Sequence, residues 1–153
     1  MEIMSDSERK FFENILREQH GVEKAFREYI LIKTGEDRIR ATTHETIEVA
    51  MKLRKILQIG LYIAKFRKSR NEVFLTIEGS QLLNDQITKN VVDLDEESAL
   101  RWMKGAPIQL PRNYLSLYIV GRLNGLYLGS ARISRDGKAY PQISTWRRIP
   151  EGE

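Results

Sequence analysis

Cationic and aromatic side chains are concentrated in the last third of the chain, between Leu100 and Ile149. This stretch contains one acid, Asp136. Its nine cations are Arg101, Lys104, Arg112, Arg122, Arg132, Arg135, Lys138, Arg147 and Arg148. The same stretch contains Tyr114, Tyr118, Tyr127, Tyr140 and Trp146. A basic field that no neighbouring acid neutralises attracts a polyanion, and flat rings among cations also suit unstacked bases. The pattern therefore favours RNA as the partner.

The sequence contains no signal for catalysis that is as clear as this signal for RNA binding. The chain has no cysteine, so thiol nucleophiles, disulfides and cysteine-based zinc sites are excluded. His20 and His44 stand far apart and lack a fixed carboxylate spacing, so the sequence supports neither a catalytic dyad nor a zinc site. His44 could bind a metal together with Glu45 and Glu48, but acids at a helix start more often serve in capping. We expect a protein that is not an enzyme and has no cofactor or metal.

The predicted RNA-binding surface collects cations from loops and turns, where charged groups stay accessible to phosphate. From the last third it takes Lys104, Arg112, Arg132, Arg135, Lys138, Arg147 and Arg148, together with Tyr140. Any single one of these cations is equally well explained as a solvated surface charge. Core packing is the more common role for Tyr140 and Trp146, and base stacking is the alternative. Arg122 is the weakest candidate, because it is predicted to lie in a hairpin turn between Gly121 and Gly125.

A second stretch without acids runs from Val49 to Asn71. Its cations are Lys52, Arg54, Lys55, Lys65, Arg67, Lys68 and Arg70. The last four are predicted to lie where a strand becomes a loop, so their long side chains can follow a nucleic-acid backbone. We therefore add Lys65, Arg67, Lys68 and Arg70 to the predicted surface. There are two alternatives for these cations: they form a solvated helix face and a soluble loop, or they contact an acidic protein.

The length and composition of the chain limit the architectures that it can form. The chain has 153 residues, of which 41% are hydrophobic and 30% charged, which suffices for one core or two small lobes. No apolar run approaches the roughly 20 residues of a membrane helix, and the first ten residues are polar and acidic. We expect a globular, cytoplasmic protein with no membrane partner.

The first 87 residues predict an N-terminal α/β lobe. Ser5 and Glu8 form a capping box for an amphipathic helix that Gly21 ends. The further predicted elements are strands at 29–32 and 38–41 around a turn at 34–37, a helix from Thr43 to Leu53, strands at 56–66 and 73–77, and a helical turn at 78–83. Asn84 and Asp85 mark a break, after which the first lobe is expected to end.

Residues 88–153 predict a second lobe, so the chain is expected to be α+β with domains at 1–87 and 88–153. The predicted elements are a strand at 90–94, a helix at 95–105, strands at 114–120, 123–128 and 131–134, and a tight turn at Asp136-Gly137. Short strands separated by glycines are typical of a compact antiparallel barrel or sandwich. Trp102 is expected to pack its helix onto this lobe.

Four segments of this second lobe resemble a PUA domain: KNVVDLDEE from residue 89, LRWMKG from 100, GLYLGS from 125 and GKAYP from 137. More narrowly, the chain is similar to the C-terminal RNA-binding domain of NOL/NOP/Sun-type RNA cytosine methyltransferases and to archaeal stand-alone relatives associated with ribosome biogenesis. The resemblance is clearest over 88–149 and weaker over 20–87. It implies a PUA-like antiparallel β pseudo-barrel with one helix, which follows a pre-PUA lobe.

Together, these observations predict a non-catalytic RNA-binding protein that acts on structured RNA, either ribosomal or transfer RNA, in ribosome biogenesis or RNA modification. Cytosine methylation needs a cysteine thiolate and a cofactor loop, so any role in it would be accessory to a separate RNA methyltransferase. Pre-ribosomal proteins are the other expected partners. The alternative is a protein-interaction adaptor whose basic face docks on an acidic partner. A DNA-binding regulator is less favoured, because Glu45 and Glu48 would repel phosphate from the helix at Thr43.

Overall fold

The computed structural model describes residues 2–53, 60–145 and 148–149. Its helices and strands are β1 (Glu2–Ile3), α1 (Asp6–His20), β2 (Ile30–Thr34), β3 (Arg38–Thr42), α2 (His44–Leu53), β4 (Leu61–Arg67), β5 (Glu72–Leu75), α3 (Ile77–Leu83), β6 (Val91–Asp93), α4 (Glu96–Met103), β7 (Tyr118–Leu123), β8 (Leu126–Ile133) and β9 (Ala139–Pro141). The strands form two sheets, ordered β1-β2-β3-β4-β5 and β6-β7-β8-β9. Neighbouring strands are antiparallel except for the β6–β7 pair, which is parallel. The predicted α+β class is confirmed.

Local signals position most of the first sheet. The hydroxyl of Ser5 accepts a hydrogen bond from the amide of Glu8 at 3.2 Å, and Gly21 ends α1 with φ at 68°. The predicted hairpin forms as β2 and β3, and the hydroxyl of Thr43 accepts the amide hydrogen of Thr46 at the start of α2. These predicted elements are confirmed, because each depends on residues that are neighbours in sequence.

Two predicted strands of the first sheet begin or end at different residues in the structure. β5 ends at Leu75 instead of at residue 77, because Thr76 caps α3 by accepting the amide hydrogen of Gly79 at 2.9 Å. The strand predicted from residue 56 is described only from Leu61, as β4, and residues 56–59 lie outside the described ranges.

The central hairpin of the second sheet differs from the one predicted from the sequence. The turn lies at Asn124 and Gly125, with φ angles of 49° and 82°, so the strands predicted at 123–128 and 131–134 form one strand, β8. Arg122 belongs to β7 opposite Tyr127, and its predicted turn position is wrong. The strand predicted from Tyr114 begins only at Tyr118.

Closure of the second sheet into a pseudo-barrel is not confirmed. Within the part of the chain that the structure describes, β6 to β9 form an open sheet. The first sheet takes its strands from residues before 76 and the second from residues after 90, and the predicted division at 87/88 stays a prediction. None of the described helices has the length and apolar character to cross a membrane.

The two sheets meet where β5 approaches β8. The amide of Leu75 donates a hydrogen bond to the hydroxyl of Ser130 at 2.8 Å, and the amide of Gly129 donates one to the hydroxyl of Ser80 at 3.0 Å. Both serines are fully buried. A Cβ at Gly129 would lie 3.0 Å from the carbonyl oxygen of Leu75, and φ there is 84°, so this contact requires glycine. We call these two hydrogen bonds the serine joint.

The start of α3 packs against a β-bulge in β4. Ile39 is opposite Ala64 and Arg40 is opposite Tyr62, which leaves Ile63 as the additional residue. The carbonyl of Ile63 accepts the amide hydrogen of Thr76 at 3.0 Å. A Cβ on Gly79 would overlap the same carbonyl oxygen. The bulge therefore fixes the position of α3 between the two sheets.

The largest hydrophobic cluster extends across the serine joint. It includes Phe12 and Phe66 from the first half of the chain and Val120 and Tyr127 from the second sheet. A second cluster surrounds Trp102, which is fully buried and donates a hydrogen bond to the carbonyl of Leu128 at 2.8 Å. The packing role predicted for Trp102 is confirmed.

His20 is the last residue of α1 and is fully buried. Its Nδ1 lies 3.3 Å from the carbonyl oxygen of Lys89. Burial lowers the pKa of His20 from 6.5 to about 4, because the imidazolium loses its hydration there. The native state therefore holds this ring neutral at a pH where the unfolded chain would protonate it.

Replacing Ser130 by Ala should lower the free energy of unfolding by about 1–3 kcal/mol, because the buried amide of Leu75 would lose its acceptor. Urea denaturation measures this change. Ser134→Ala is the matched control, because Ser134 is exposed, and it should leave the midpoint nearly unchanged. Equal midpoints for the two variants would contradict the role of the Ser130 hydroxyl.

The free energy of unfolding should fall as the pH is lowered from 6.5 towards 4, since the unfolded state then binds a proton that native His20 does not. The full effect should approach about 3 kcal/mol. Urea denaturation at a series of pH values measures it. His20→Leu should flatten the profile in this window, whereas His44→Gln should not, because His44 is exposed. A slope that persists in His20→Leu would assign it to another group.

Candidate nucleic-acid interface

Three side chains form a row across one face of the second sheet. Tyr118 of β7 is opposite Arg132 of β8, and Arg132 is opposite Tyr140 of β9. Residues that are directly opposite in neighbouring strands point to the same face. Arg132 and Tyr140 are exposed, whereas Tyr118 is half-buried. We call this arrangement the Tyr-Arg-Tyr row.

Glu72 lies at the Tyr118 end of the row and is only 2% exposed. The hydroxyl of Tyr118 donates a hydrogen bond to its Oε1 at 2.9 Å. Arg67 Nη1 lies 3.5 Å from Glu72 Oε2, and Arg132 Nε lies 3.9 Å from Glu72 Oε1. One buried carboxylate thus faces two guanidinium groups, and a positive charge remains. The arginine side chains are 34% and 49% exposed, so phosphate can reach both.

Burial, together with the hydrogen bond to Glu72, raises the pKa of the Tyr118 hydroxyl. The hydroxyl therefore stays protonated at neutral pH and continues to donate to the carboxylate. This hydrogen bond fixes Glu72 of the first sheet to β7 of the second.

A groove of about 690 Å³ lies beside β8 and β9. Its lining residues are Leu117, Arg132, Ile133, Ser134, Arg135, Tyr140 and Gln142. Three predicted site residues, Arg132, Arg135 and Tyr140, are therefore brought together here. We call it the β8–β9 groove.

The tight turn at Asp136 orients the ring at this groove. The hydroxyl of Tyr140 donates a hydrogen bond to Asp136 Oδ2 at 2.6 Å, and the amide of Lys138 donates one to Oδ1 at 2.9 Å. These hydrogen bonds lower the pKa of Asp136 and keep its carboxylate charged. Tyr140 is 37% exposed, so core packing is not its role. Its ring is held at the surface, where a base can stack on it.

A second groove, of about 980 Å³, lies between the two sheets. Two predicted residues line it, Lys65 of β4 and Arg148 near the end of the chain. Gln142 lines this groove and also the β8–β9 groove, so the two adjoin. We call it the inter-sheet groove.

The chain at Arg148 packs against the end of α4, which Lys104 follows. The amide of Ile149 donates to the carbonyl of Met103, and the Arg148 side chain packs against Gly105, where a Cβ would lie 2.6 Å from Nε. Arg148 Nε also donates to the carbonyl of Ile143 at 3.0 Å. Part of the Arg148 guanidinium is therefore used inside the protein.

Two predicted cations of the loop after β4 differ in their surroundings. Lys68 lies 3.3 Å from Glu8, which also binds Lys33 at 2.9 Å. These two cations, Lys33 above all, lower the pKa of Glu8 to about 2. Arg70 is exposed. Lys68 is therefore partly neutralised by the protein's own acid, although its side chain is 56% exposed.

The remaining predicted residues are not brought into these grooves. The guanidinium of Arg112 lies 4.1 Å from the ring centre of Tyr114, and no hydrogen bond or ion pair joins it to another predicted site residue within the described ranges. Arg147 and Trp146 lie outside the described residues. Arg122, the weakest sequence candidate, binds both carboxylate oxygens of Asp93 at 2.7 and 3.0 Å and is thus part of a structural ion pair.

Glu72 was not predicted from the sequence, nor was the group formed by Arg38, Arg40 and Tyr62 on the first sheet. Arg38 and Arg40 of β3 line the inter-sheet groove with Tyr62 of β4. The signal for the two arginines was present, because alternate residues of a strand share one face. Glu72 gave no such signal, since a single acid after a basic run is typical of an exposed turn.

The chain matches no protein-family model, and no curated protein sequence matches it. A functional assignment therefore rests on the geometry of the two grooves and the Tyr-Arg-Tyr row.

Replacing Tyr118 by Phe should lower the free energy of unfolding by about 1.5–3 kcal/mol, since the buried Glu72 carboxylate would lose the hydrogen bond that the Tyr118 hydroxyl donates to it. Urea denaturation near neutral pH measures the loss. Tyr140→Phe is the matched control, because it removes a hydroxyl that bonds an exposed carboxylate. Equal losses in the two variants would show that burial of Glu72 does not strengthen the Tyr118 bond.

Proposed function

We propose that this protein is a non-catalytic RNA-binding protein whose main contact surface is the β8–β9 groove with the Tyr-Arg-Tyr row. The observation that carries the proposal is that Arg132, Arg135 and the exposed ring of Tyr140 line one groove. Guanidinium groups bind phosphate, and a base stacked on an aromatic ring contributes about 1–3 kcal/mol. Duplex nucleic acid hides the faces of its bases, so the groove favours an unpaired segment.

The loosely held arginines support the same proposal. Arg67 and Arg132 lie 3.5 and 3.9 Å from Glu72, beyond the 2.7–2.9 Å of a strong charge-assisted hydrogen bond. At these distances the N–H groups of both arginines can contact a phosphate while the guanidinium groups stay beside Glu72 and offset its buried charge. Arg122, held by two short hydrogen bonds, lacks this freedom. The protein thus has two weakly paired guanidinium groups at the Tyr118 end of the row, and that of Arg132 lines the β8–β9 groove.

We further propose that residues 88–153 form a PUA-like domain and that the ligand is structured RNA, ribosomal or transfer RNA, during ribosome biogenesis or RNA modification. The order β6, α4, β7 supports this, because the resemblance implies a single helix among the strands of this domain. Binding to a separate RNA methyltransferase would place the RNA beside that enzyme. Pre-ribosomal proteins are the other proposed partners.

Fluorescence anisotropy tests the proposal with single-stranded RNA, with DNA of the same sequence and with heparin as competitor. We expect preference for RNA, and we expect Arg132→Gln/Arg135→Gln to reduce the slope of log K against log salt by about 1.4, or 0.7 for each lost phosphate contact. Lys10→Gln/Arg27→Gln is the control for net charge, because these exposed cations line neither groove. Thermal denaturation verifies that each variant is folded.

Equal binding of RNA and DNA, with heparin an equally good ligand, would overturn the proposal and favour the adaptor that docks on an acidic protein. Equal salt slopes in the two double variants would remove the β8–β9 groove from the contact surface.

A further inference from the structure

Four side chains on one face of the first sheet converge at the inter-sheet groove. Arg38 and Arg40 alternate on β3, and their guanidinium carbons lie 5.5 and 5.9 Å from the centre of the Tyr62 ring. Arg40 is opposite Tyr62, and Arg38 is opposite Lys65. All four line the groove. The half-buried ring of Tyr62 thus has two guanidinium groups beside it, and Lys65 lines the same groove.

The groove also contains acids, which affects what it can bind. Glu36 and Asp37 of the β2–β3 turn and Glu78 of α3 line it together with the cations. A phosphate backbone alone would favour a purely cationic lining. A nucleotide instead offers a phosphate for guanidinium groups, a flat base for the ring, and N–H donors on the base for carboxylates. The mixed lining therefore suits a nucleotide better than a bare phosphate chain.

The dimensions and surroundings of the groove agree with this ligand. Its volume of about 980 Å³ lies in the range of small-molecule and cofactor sites. Burial raises the pKa of the Tyr62 hydroxyl although Arg38 and Arg40 act in the opposite direction, so the phenol stays neutral. A neutral ring does not repel a neighbouring phosphate.

The inter-sheet groove also adjoins the β8–β9 groove. Gln142 lines both. Phe74 lines the inter-sheet groove, and its ring centre lies 5.7 Å from that of Tyr118 in the Tyr-Arg-Tyr row. The two grooves are therefore close enough for one RNA strand to contact both.

We infer that the inter-sheet groove binds a nucleotide of the same single-stranded RNA, with its base stacked on Tyr62 and its phosphates on Arg38 and Arg40. This inference rests on the proposed RNA binding at the β8–β9 groove. It extends the contact surface across both sheets and gives the first sheet a part in recognition.

Anisotropy with two RNA oligonucleotides, of about 4 and about 12 nucleotides, tests the inference, since single-strand sites range over about 4–16 nucleotides. Tyr62→Leu should weaken binding of the longer RNA by about tenfold, equivalent to the loss of one stacked base, and should leave the shorter RNA nearly unaffected. Tyr62→Phe should retain wild-type affinity, because the ring is kept. Arg38→Gln/Arg40→Gln should also lower the salt slope, by up to about 1.4, and Lys10→Gln/Arg27→Gln serves as its charge control.

The outcomes separate this inference from the proposed function. If the wild-type protein binds RNA and responds to Arg132→Gln/Arg135→Gln but not to Tyr62→Leu or Arg38→Gln/Arg40→Gln, the inference is overturned and the proposed function stands. If the wild-type protein shows no preference for RNA, both are overturned. If Tyr62→Leu is unfolded by circular dichroism, the double arginine variant decides the outcome.

Discussion

Two buried serine hydroxyls determine how the two sheets of this protein are placed. At the serine joint, Ser130 accepts the amide hydrogen of Leu75 and Ser80 accepts that of Gly129, so β5 and β8 come together without a ladder of backbone hydrogen bonds. Glu72 and Arg132 lie a few residues from these contacts on the same two strands. The joint therefore brings the carboxylate of one sheet to the guanidinium of the other. It also places two basic segments that are distant in sequence, the end of β4 and the end of β8, on one surface.

The charge of that surface depends on which cations the protein uses for its own structure. Arg122 is held by Asp93 at 2.7 and 3.0 Å, and Lys68 shares Glu8 with Lys33. Arg67 and Arg132 contact Glu72 only at longer distances. The basic excess counted from sequence therefore overstates the number of cations that a ligand can recruit. What distinguishes the candidate interface is the presence of arginines that are positioned but weakly bound.

The sequence was sufficient to predict the elements that depend on interactions between residues a few positions apart. The capping box at Ser5, the αL glycine at Gly21 and the turn at Asp136 each involve residues a few positions apart, and all form in the structure. The Asn124-Gly125 turn was also a strong local signal, but the even spacing of glycines led to a different turn and to the wrong position for Arg122. The site was only partly predictable. Arg135 and Tyr140 lie a few residues apart at one tight turn and the strand that follows it, whereas the proximity of Arg67, Glu72 and Arg132 depends on the packing of two sheets, which no local pattern encodes.

β5 is an edge strand of the first sheet, and such strands can pair with a second chain and initiate aggregation. Here the amide of Leu75, which an incoming strand would need, is already bound by the hydroxyl of Ser130. The buried charge of Glu72 lies on the same strand, and an inward-pointing charge is one of the devices that protect natural sheet edges. The contact that assembles the candidate interface therefore also shields one strand edge from misassembly, so variants that loosen it should be judged for solubility as well as for binding.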